Sequence, residues 1–171
     1  MSQRDFSWVK NVDLEKAFST FDRYSSRAKV GLEAERVVRE YLRGLIDDNN
    51  LQISVQSWEN RSGHLCATEK ERAINNSIEG DLLIYELDGD LKRTVEVKSS
   101  SNHPNVTFKT STFDNSKAEF LIALTQGEMW CCTMDEARRA AKFIATDDRE
   151  NGFWLVAQDL VSKVPIIEVL R

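Results

Sequence analysis

Two acidic residues and a lysine occupy two neighbouring segments in the middle of the sequence. Asp81 begins the apolar segment DLLIY, and Glu96 and Lys98 lie within the later segment TVEVKSS. Carboxylate oxygens are the ligands that Mg²⁺ and Mn²⁺ prefer, and an adjacent ammonium group can stabilise charge on a phosphate. These residue types in this order therefore predict a divalent-metal site that acts on a phosphate ester.

The two segments are predicted to form a β-hairpin that brings these side chains together. The residues between them include Asp88-Gly-Asp90, which is typical of a tight turn because glycine tolerates positive φ. A hairpin that turns there places Asp81, at the start of its first strand, beside the end of the second strand. Successive side chains of a strand alternate faces, so Glu96 and Lys98 are expected to share one face of the sheet.

A purely structural interpretation is that Glu96 and Lys98 line a solvent-exposed face of an antiparallel sheet. The preceding strand argues against it, because 82–85 is apolar on both faces, as in a strand that is covered on both sides. Charged residues in the partner strand would then be buried, and buried charges are costly unless they are paired or bind an ion. The structural interpretation predicts that these carboxylates do not converge in space.

A helix predicted over about 29–47 supplies a candidate third carboxylate. On a helical wheel, its apolar face consists of Ala34, Val37, Val38, Tyr41, Leu42 and Leu45. Glu35 lies at the edge of this face, whereas Glu33 and Arg36 point away from it. Glu35 is therefore the helix carboxylate that we expect closest to the sheet.

Asp81 followed by Glu96-x-Lys98 resembles the PD-(D/E)XK nuclease superfamily. The segment Gly31-Leu-Glu-Ala-Glu-Arg36 likewise resembles the entry helix of archaeal Holliday-junction resolvases and of some restriction-endonuclease-like domains, and this match also selects Glu35. The resemblance implies metal-dependent hydrolysis of phosphodiester bonds, usually in DNA. It implies that Asp81, Glu96 and the Val97 carbonyl hold Mg²⁺ or Mn²⁺, that Lys98 contacts the scissile phosphate or the attacking water, and that Glu35 binds a metal or one of its waters.

The resemblance covers about 29–125 and implies an α/β fold. The expected core is restriction-endonuclease-like, with a mixed central β-sheet flanked by helices in the order αβββαβ, followed by C-terminal strands and a helix over 126–171. Two departures stand out. Gly80 replaces the proline that precedes the aspartate in the family's motif, and 59–79 would be a loop insertion.

These features predict a Mg²⁺-dependent endonuclease, similar to a restriction enzyme or a resolvase. Lys109 and Lys117 are candidate phosphate contacts, and a homodimer would suit cleavage of both strands. Two alternatives remain open. One is an inactive protein of the nuclease fold that binds nucleic acid or a protein partner, and the other is a nuclease of the same fold that acts on RNA.

Length, composition and charge limit the remaining possibilities. The chain has 171 residues, of which 41% are hydrophobic, and this size predicts one domain over 1–171. The net charge of −5 argues against a broad basic nucleic-acid surface, but 92–118 holds five Lys or Arg against two Asp or Glu. Apolar runs are too short to span a bilayer, so we expect a soluble, cytoplasmic protein without a membrane partner.

Further elements are predicted from periodicity, turns and caps. Strands are expected at 51–58, 120–125, 129–133, 153–157 and 165–170, and helices at 13–21, 115–119 and 133–145.

Overall fold

The computed structural model describes residues 27–57, 80–100, 103–146 and 149–171. The predicted helix over 13–21 and the whole predicted insertion over 59–79 lie outside the described residues. The helices are α1 (Arg27–Asp48), α2 (Thr110–Asn115) and α3 (Met134–Ala140). The strands are β1 (Ile53–Ser57), β2 (Leu82–Glu86), β3 (Leu91–Ser100), β4 (Asn105–Lys109), β5 (Phe120–Thr125), β6 (Glu128–Thr133), β7 (Lys142–Thr146) and β8 (Arg149–Val156). Short 3-10 helices cover Ala157–Asp159 and Ile166–Leu170.

A five-stranded mixed sheet with the order β1-β2-β3-β5-β6 forms the centre of the fold. Strands β3 and β5 are parallel, and the other neighbours in this sheet are antiparallel. A parallel pair needs a long crossover connection, and here the connection contains β4 and α2. The expected element order is therefore present with one additional strand, and the chain is a mixed α/β protein whose central sheet is flanked by helices.

Helix α1 covers one face of the central sheet. Its apolar stripe, which includes Val38 and Leu42, packs with Val95 and Val97 of β3 and with Ile122 of β5. The predicted apolar face is confirmed, since its residues are buried or pack against this core. Burial of this stripe fixes which residues of α1 face the sheet, and it leaves Glu35 at the border between core and solvent.

A second layer covers the opposite face of the central sheet. It consists of a three-stranded sheet with the order β4-β8-β7, together with α2 and α3. Phe108 of β4 and Leu155 of β8 pack there with Leu121 and Ala123 of β5. Residues 82–84 of β2 are fully buried, which confirms the prediction that this strand is covered on both sides.

The segment before β5 contains one element that was not predicted and one whose position differs from the prediction. The polar segment after β3 contains strand β4, because Val106 and Phe108 are buried in the second layer while Thr107 between them is exposed. The short helix expected at 115–119 lies earlier, at Thr110–Asn115. Lys117 therefore follows the helix instead of lying on it.

Two predictions near the C-terminus were also wrong. The Thr133 hydroxyl accepts a hydrogen bond from the Glu136 N–H at 3.1 Å, as the capping pattern indicates, but α3 ends at Ala140 instead of continuing to 145. The following residues pair with β8 as strand β7. The strand expected at 165–170 is a 3-10 helix that buries the adjacent Val169 and Leu170, whereas a strand would place adjacent side chains on opposite faces.

Candidate metal and phosphate site

The β2–β3 hairpin places Asp81 and Glu96 side by side. Leu82 pairs with Val95 in the antiparallel register, and Asp81 and Glu96 are the next residues beyond this pair. The Asp81 N–H donates a hydrogen bond of 2.8 Å to the Val95 carbonyl, which holds Asp81 against β3. The charge of Asp81 acts on the Glu96 carboxyl group, so the two carboxyl groups are neighbours.

A backbone hydrogen bond orients the Asp81 carboxylate. Its Oδ2 accepts a hydrogen bond of 2.8 Å from the Val97 N–H. Strand β2 begins one residue later, at Leu82, and its pairing with β3 does not reach Val97. The Asp81 carboxylate therefore accepts the hydrogen bond of the Val97 N–H, which has no partner on β2. The N–H and carbonyl of one strand residue point to the same side, and the Val97 carbonyl therefore also lies on the Asp81 side of β3.

Lys98 is held between a carboxylate and an aromatic ring. Its Nζ lies 3.2 Å from Oε1 of Glu96 and 5.4 Å from the centroid of the Phe108 ring. The negative face of an aromatic ring attracts an ammonium group, so both contacts favour the charged form of the lysine. Phe108 was not identified from the sequence, although the alternation in Asn105-Val-Thr-Phe-Lys109 is the signal that indicates an inward-facing aromatic residue there.

Glu35 of α1 joins the hairpin residues. Its carboxyl group lies close enough to that of Asp81 to raise the pKa of Asp81, and its charge also acts on Lys98. The structure thus brings Glu35, Asp81, Glu96 and Lys98 into one connected cluster.

Burial and mutual repulsion raise the pKa values of the carboxyl groups in this cluster. Burial, followed by the charge of Glu35, raises the pKa of Asp81 to about 8. Burial, followed by the charge of Asp81, raises the pKa of Glu96 to about 8. Burial alone would lower the pKa of Lys98, but the charges of Glu96 and Asp81 outweigh it and raise that pKa. One ammonium therefore faces more negative charge than it can neutralise.

The interpretation of Glu96 as part of a solvent-exposed sheet face is wrong. Only 7% of Asp81 and 8% of Glu96 are exposed. The Lys98 side chain is 28% exposed, so the cluster opens to solvent on the lysine side. A buried cluster with surplus negative charge either binds protons or binds a cation.

The available donors fit a hard divalent cation held by two carboxylates. Within the described ranges, no group of three or more His, Cys, Asp or Glu side chains is arranged to hold a metal ion. Mg²⁺ commonly uses only one or two carboxylates and completes its shell with waters and substrate oxygens. Asp81, Glu96 and the Val97 carbonyl supply such a set, and their surplus charge suits Mg²⁺ or Mn²⁺.

The structure does not place the two other candidate lysines beside the cluster. Lys109 follows Phe108 directly, so it points to the opposite face of β4 from the ring that contacts Lys98. The Lys117 carbonyl accepts a hydrogen bond of 3.1 Å from the Thr94 hydroxyl, four residues before Lys98. At the rise of a β-strand this separation is roughly 13 Å along β3.

Gly80 has a conformation that excludes the proline of the family's motif. Its φ is +96°, and a Cβ at this position would lie 3.0 Å from the Val95 carbonyl oxygen. Proline is restricted to φ near −65°, so it cannot adopt this turn. The chain therefore reaches Asp81 along a path that requires glycine.

No known protein family, curated protein or solved structure matches this chain. In the portion of the chain that the structure describes, none of the helices has the length and apolar character needed to cross a membrane. The fold and the site together define a mixed α/β protein that contains a buried cluster of three carboxyl groups and one lysine.

Proposed function

We propose that this protein is a metal-dependent endonuclease of the PD-(D/E)XK type that hydrolyses phosphodiester bonds in DNA. The observation that carries the proposal is the proximity of buried Asp81 and Glu96 at the end of one hairpin, with the Lys98 Nζ at 3.2 Å from Oε1 of Glu96. The proximity of Glu35 to Asp81 adds the helix residue that the resemblance implies. The element order, αβββαβ with one extra strand, agrees with a restriction-endonuclease-like core.

Each residue of the cluster has a distinct role in the proposed reaction. Asp81, Glu96 and the Val97 carbonyl would hold Mg²⁺ or Mn²⁺, which would neutralise phosphate charge and activate water when bound. Lys98 presents a fixed positive charge toward the open side of the cluster, where it can stabilise the negative charge that develops on the phosphate. Glu35 restrains the Asp81 carboxyl group.

The charge of the cluster predicts how DNA binding depends on metal. The protein has a net charge of −5, and the uncompensated carboxylates would repel a phosphate. A divalent cation reverses the local charge, so tight binding of DNA is expected to require the metal. One site cuts one strand, and cleavage of both strands would require two copies of the chain, as in a homodimer.

A cleavage assay tests the proposal directly. Supercoiled, linear, branched and single-stranded DNA, and RNA, are incubated with the protein in Mg²⁺, in Mn²⁺ and in EDTA. We expect metal-dependent cutting that falls by about 100-fold or more in Asp81→Asn and in Lys98→Ala, because each removes a charge that acts in the transition state. Lys163→Ala changes an exposed lysine of the C-terminal segment and is the matched control, which should cut normally.

The same assay separates the alternatives. Undiminished cutting by Asp81→Asn would place the activity at another site or in a contaminant. Metal-dependent binding without cutting of any substrate would identify an inactive binding protein, and cutting confined to RNA would identify an RNA-directed nuclease.

A further inference from the structure

The outer face of the small β4-β8-β7 sheet presents an exposed tryptophan at its centre. Thr107 of β4, Trp154 of β8 and Lys142 of β7 are cross-strand neighbours, so their side chains form a row on one face. The opposite face of this sheet carries Phe108 and Leu155, which are buried against the central sheet. The row of three therefore faces away from the core.

Trp154 differs from the buried tryptophan of the central sheet. Trp130 is buried, and its Nε1 donates a hydrogen bond of 2.8 Å to the Thr125 hydroxyl. Trp154 is 46% exposed although it lies on the middle strand of its sheet. A large aromatic side chain that stays exposed there gains little from packing, and an exposed ring is a surface on which a nucleic-acid base can stack.

A glycine lies beside the indole. Gly152 is the next outward-facing position on β8, and it pairs with Lys109 on one side and Ile144 on the other. Gly152 carries no side chain, so its position offers only backbone to a group that approaches Trp154 from this side. Glycine within a strand often marks such a close approach.

Lysines flank Trp154 and Gly152 on both sides. Lys109 and Lys142 are exposed and lie on the two outer strands, at diagonal positions across Trp154 and Gly152. Lys142 forms an ion pair of 3.4 Å with Asp159, but its side chain remains 74% exposed and its other donors can reach a ligand. An aromatic platform between lysines matches a strand of nucleic acid with unpaired bases, which stack on the ring while phosphates meet the ammonium groups.

We propose that this face binds an unpaired strand of DNA adjacent to the cutting site. The inference rests on the proposed function for the identity of DNA as substrate. Strand β4 connects the two regions, since Phe108 contacts Lys98 on the inner face and Lys109 lies on the outer face one residue later. The preferred substrate would then be DNA that is single-stranded next to the scissile phosphate, such as a branch, a flap or a frayed end.

Binding is measured in a Lys98→Ala background, which is expected not to cut, with Mg²⁺ present. Fluorescence anisotropy reports the affinity for a labelled oligothymidine and for a blunt duplex of equal length. We expect Trp154→Ala to weaken binding of the oligothymidine by about tenfold and to leave duplex binding unchanged. Trp154→Phe, which keeps a stacking ring, should retain most of the affinity. Leu87→Ala alters an exposed apolar residue of the β2–β3 turn and should have no effect.

Three results would overturn the inference. The first is that Trp154→Ala binds the oligothymidine as tightly as the protein that retains Trp154. The second is that Trp154→Ala loses equal affinity for the duplex and for the oligothymidine. The third is that Trp154→Ala has a different oligomeric state by light scattering, which would make the face a protein interface. These results leave the proposed function intact if the otherwise unmodified protein still cuts and Asp81→Asn does not. Conversely, if the otherwise unmodified protein cut no substrate but oligothymidine binding still depended on Trp154, the proposed endonuclease activity would be contradicted and the binding of an unpaired strand at Trp154 would be supported.

Discussion

The two hairpins of the central sheet bury polar groups in opposite ways. In the β5–β6 hairpin, the buried Thr125 hydroxyl accepts the Trp130 N–H at 2.8 Å, so two neutral groups are paired. The β2–β3 hairpin also buries a neutral, hydrogen-bonded hydroxyl, that of Thr94, but its buried ionisable groups are the Asp81 and Glu96 carboxyl groups, which share one lysine. The first arrangement is complete within the protein, whereas the second has more carboxyl groups than one lysine can neutralise.

The difference indicates which hairpin is built for stability and which for function. A neutral, satisfied pair contributes modestly to folding and costs little to bury. Clustered carboxylates oppose folding in the absence of a cation, and such costs persist mainly at functional sites. The buried thiols of β6 belong with the neutral groups that are built for stability. Burial raises the pKa of Cys132 to about 12, so that thiol stays neutral.

The largest effect on stability is expected from removing the ammonium group of Lys98 in the β2–β3 hairpin. In EDTA at pH 8, Lys98→Met should lower the free energy of unfolding by about 3 kcal/mol, because it leaves buried carboxylates without a counter-charge. Glu96→Gln, which removes repulsion at the same site, should be close to neutral. Urea unfolding measures both variants, and a Lys98→Met protein as stable as the wild type would contradict the charge imbalance.

Metal binding should stabilise the protein through the β2–β3 hairpin and should not depend on the β5–β6 hairpin. Mg²⁺ at about 100 times its dissociation constant should raise the free energy of unfolding by about 2.7 kcal/mol, because it binds only the folded site. The gain should disappear in Asp81→Asn and persist in Thr125→Val. Thermal unfolding with and without Mg²⁺ gives the answer, and equal gains in the two variants would show that the ion binds elsewhere.

The carboxyl pair predicts an unusual dependence of stability on pH. Asp81 and Glu96 have folded-state pKa values near 8, above their usual values in an unfolded chain, so the folded state binds more protons in between. Stability in EDTA should therefore fall as the pH rises from about 5 to 8. Glu96→Gln should flatten this slope and Mg²⁺ should oppose it. Unfolding midpoints that rise over this range would contradict the raised pKa values.

The smallest effect is expected in the neutral hairpin. Thr125→Val removes the acceptor of the Trp130 N–H and should cost about 1 kcal/mol, with the same value at pH 5 and at pH 8. Cleavage should be unaffected. If the cost of Thr125→Val instead differed between pH 5 and pH 8, the contrast between the two hairpins would not hold.

Much of the site was predictable because it depends on local geometry. The turn at Asp88-Gly-Asp90 and the alternation of β3 sufficed to pair Asp81 with Glu96, and Gly89 has the expected positive φ of 97°. The helical wheel of α1 likewise identified Glu35, because burial of one stripe fixes the rotation of a helix. The second layer was predicted less well, since β4 and the end of α3 depend on pairing with β8, far along the chain.

The sequence by itself determined the hairpin, the face of β3 that carries Glu96 and Lys98, and the orientation of α1. These follow from periodicity and turn chemistry, which act between near neighbours. Only the tertiary structure decided that Glu35 lies close to Asp81, that Phe108 lies against Lys98, and that Trp154 stays exposed. Those contacts join residues distant in the chain, and their formation depends on how whole layers pack against one another.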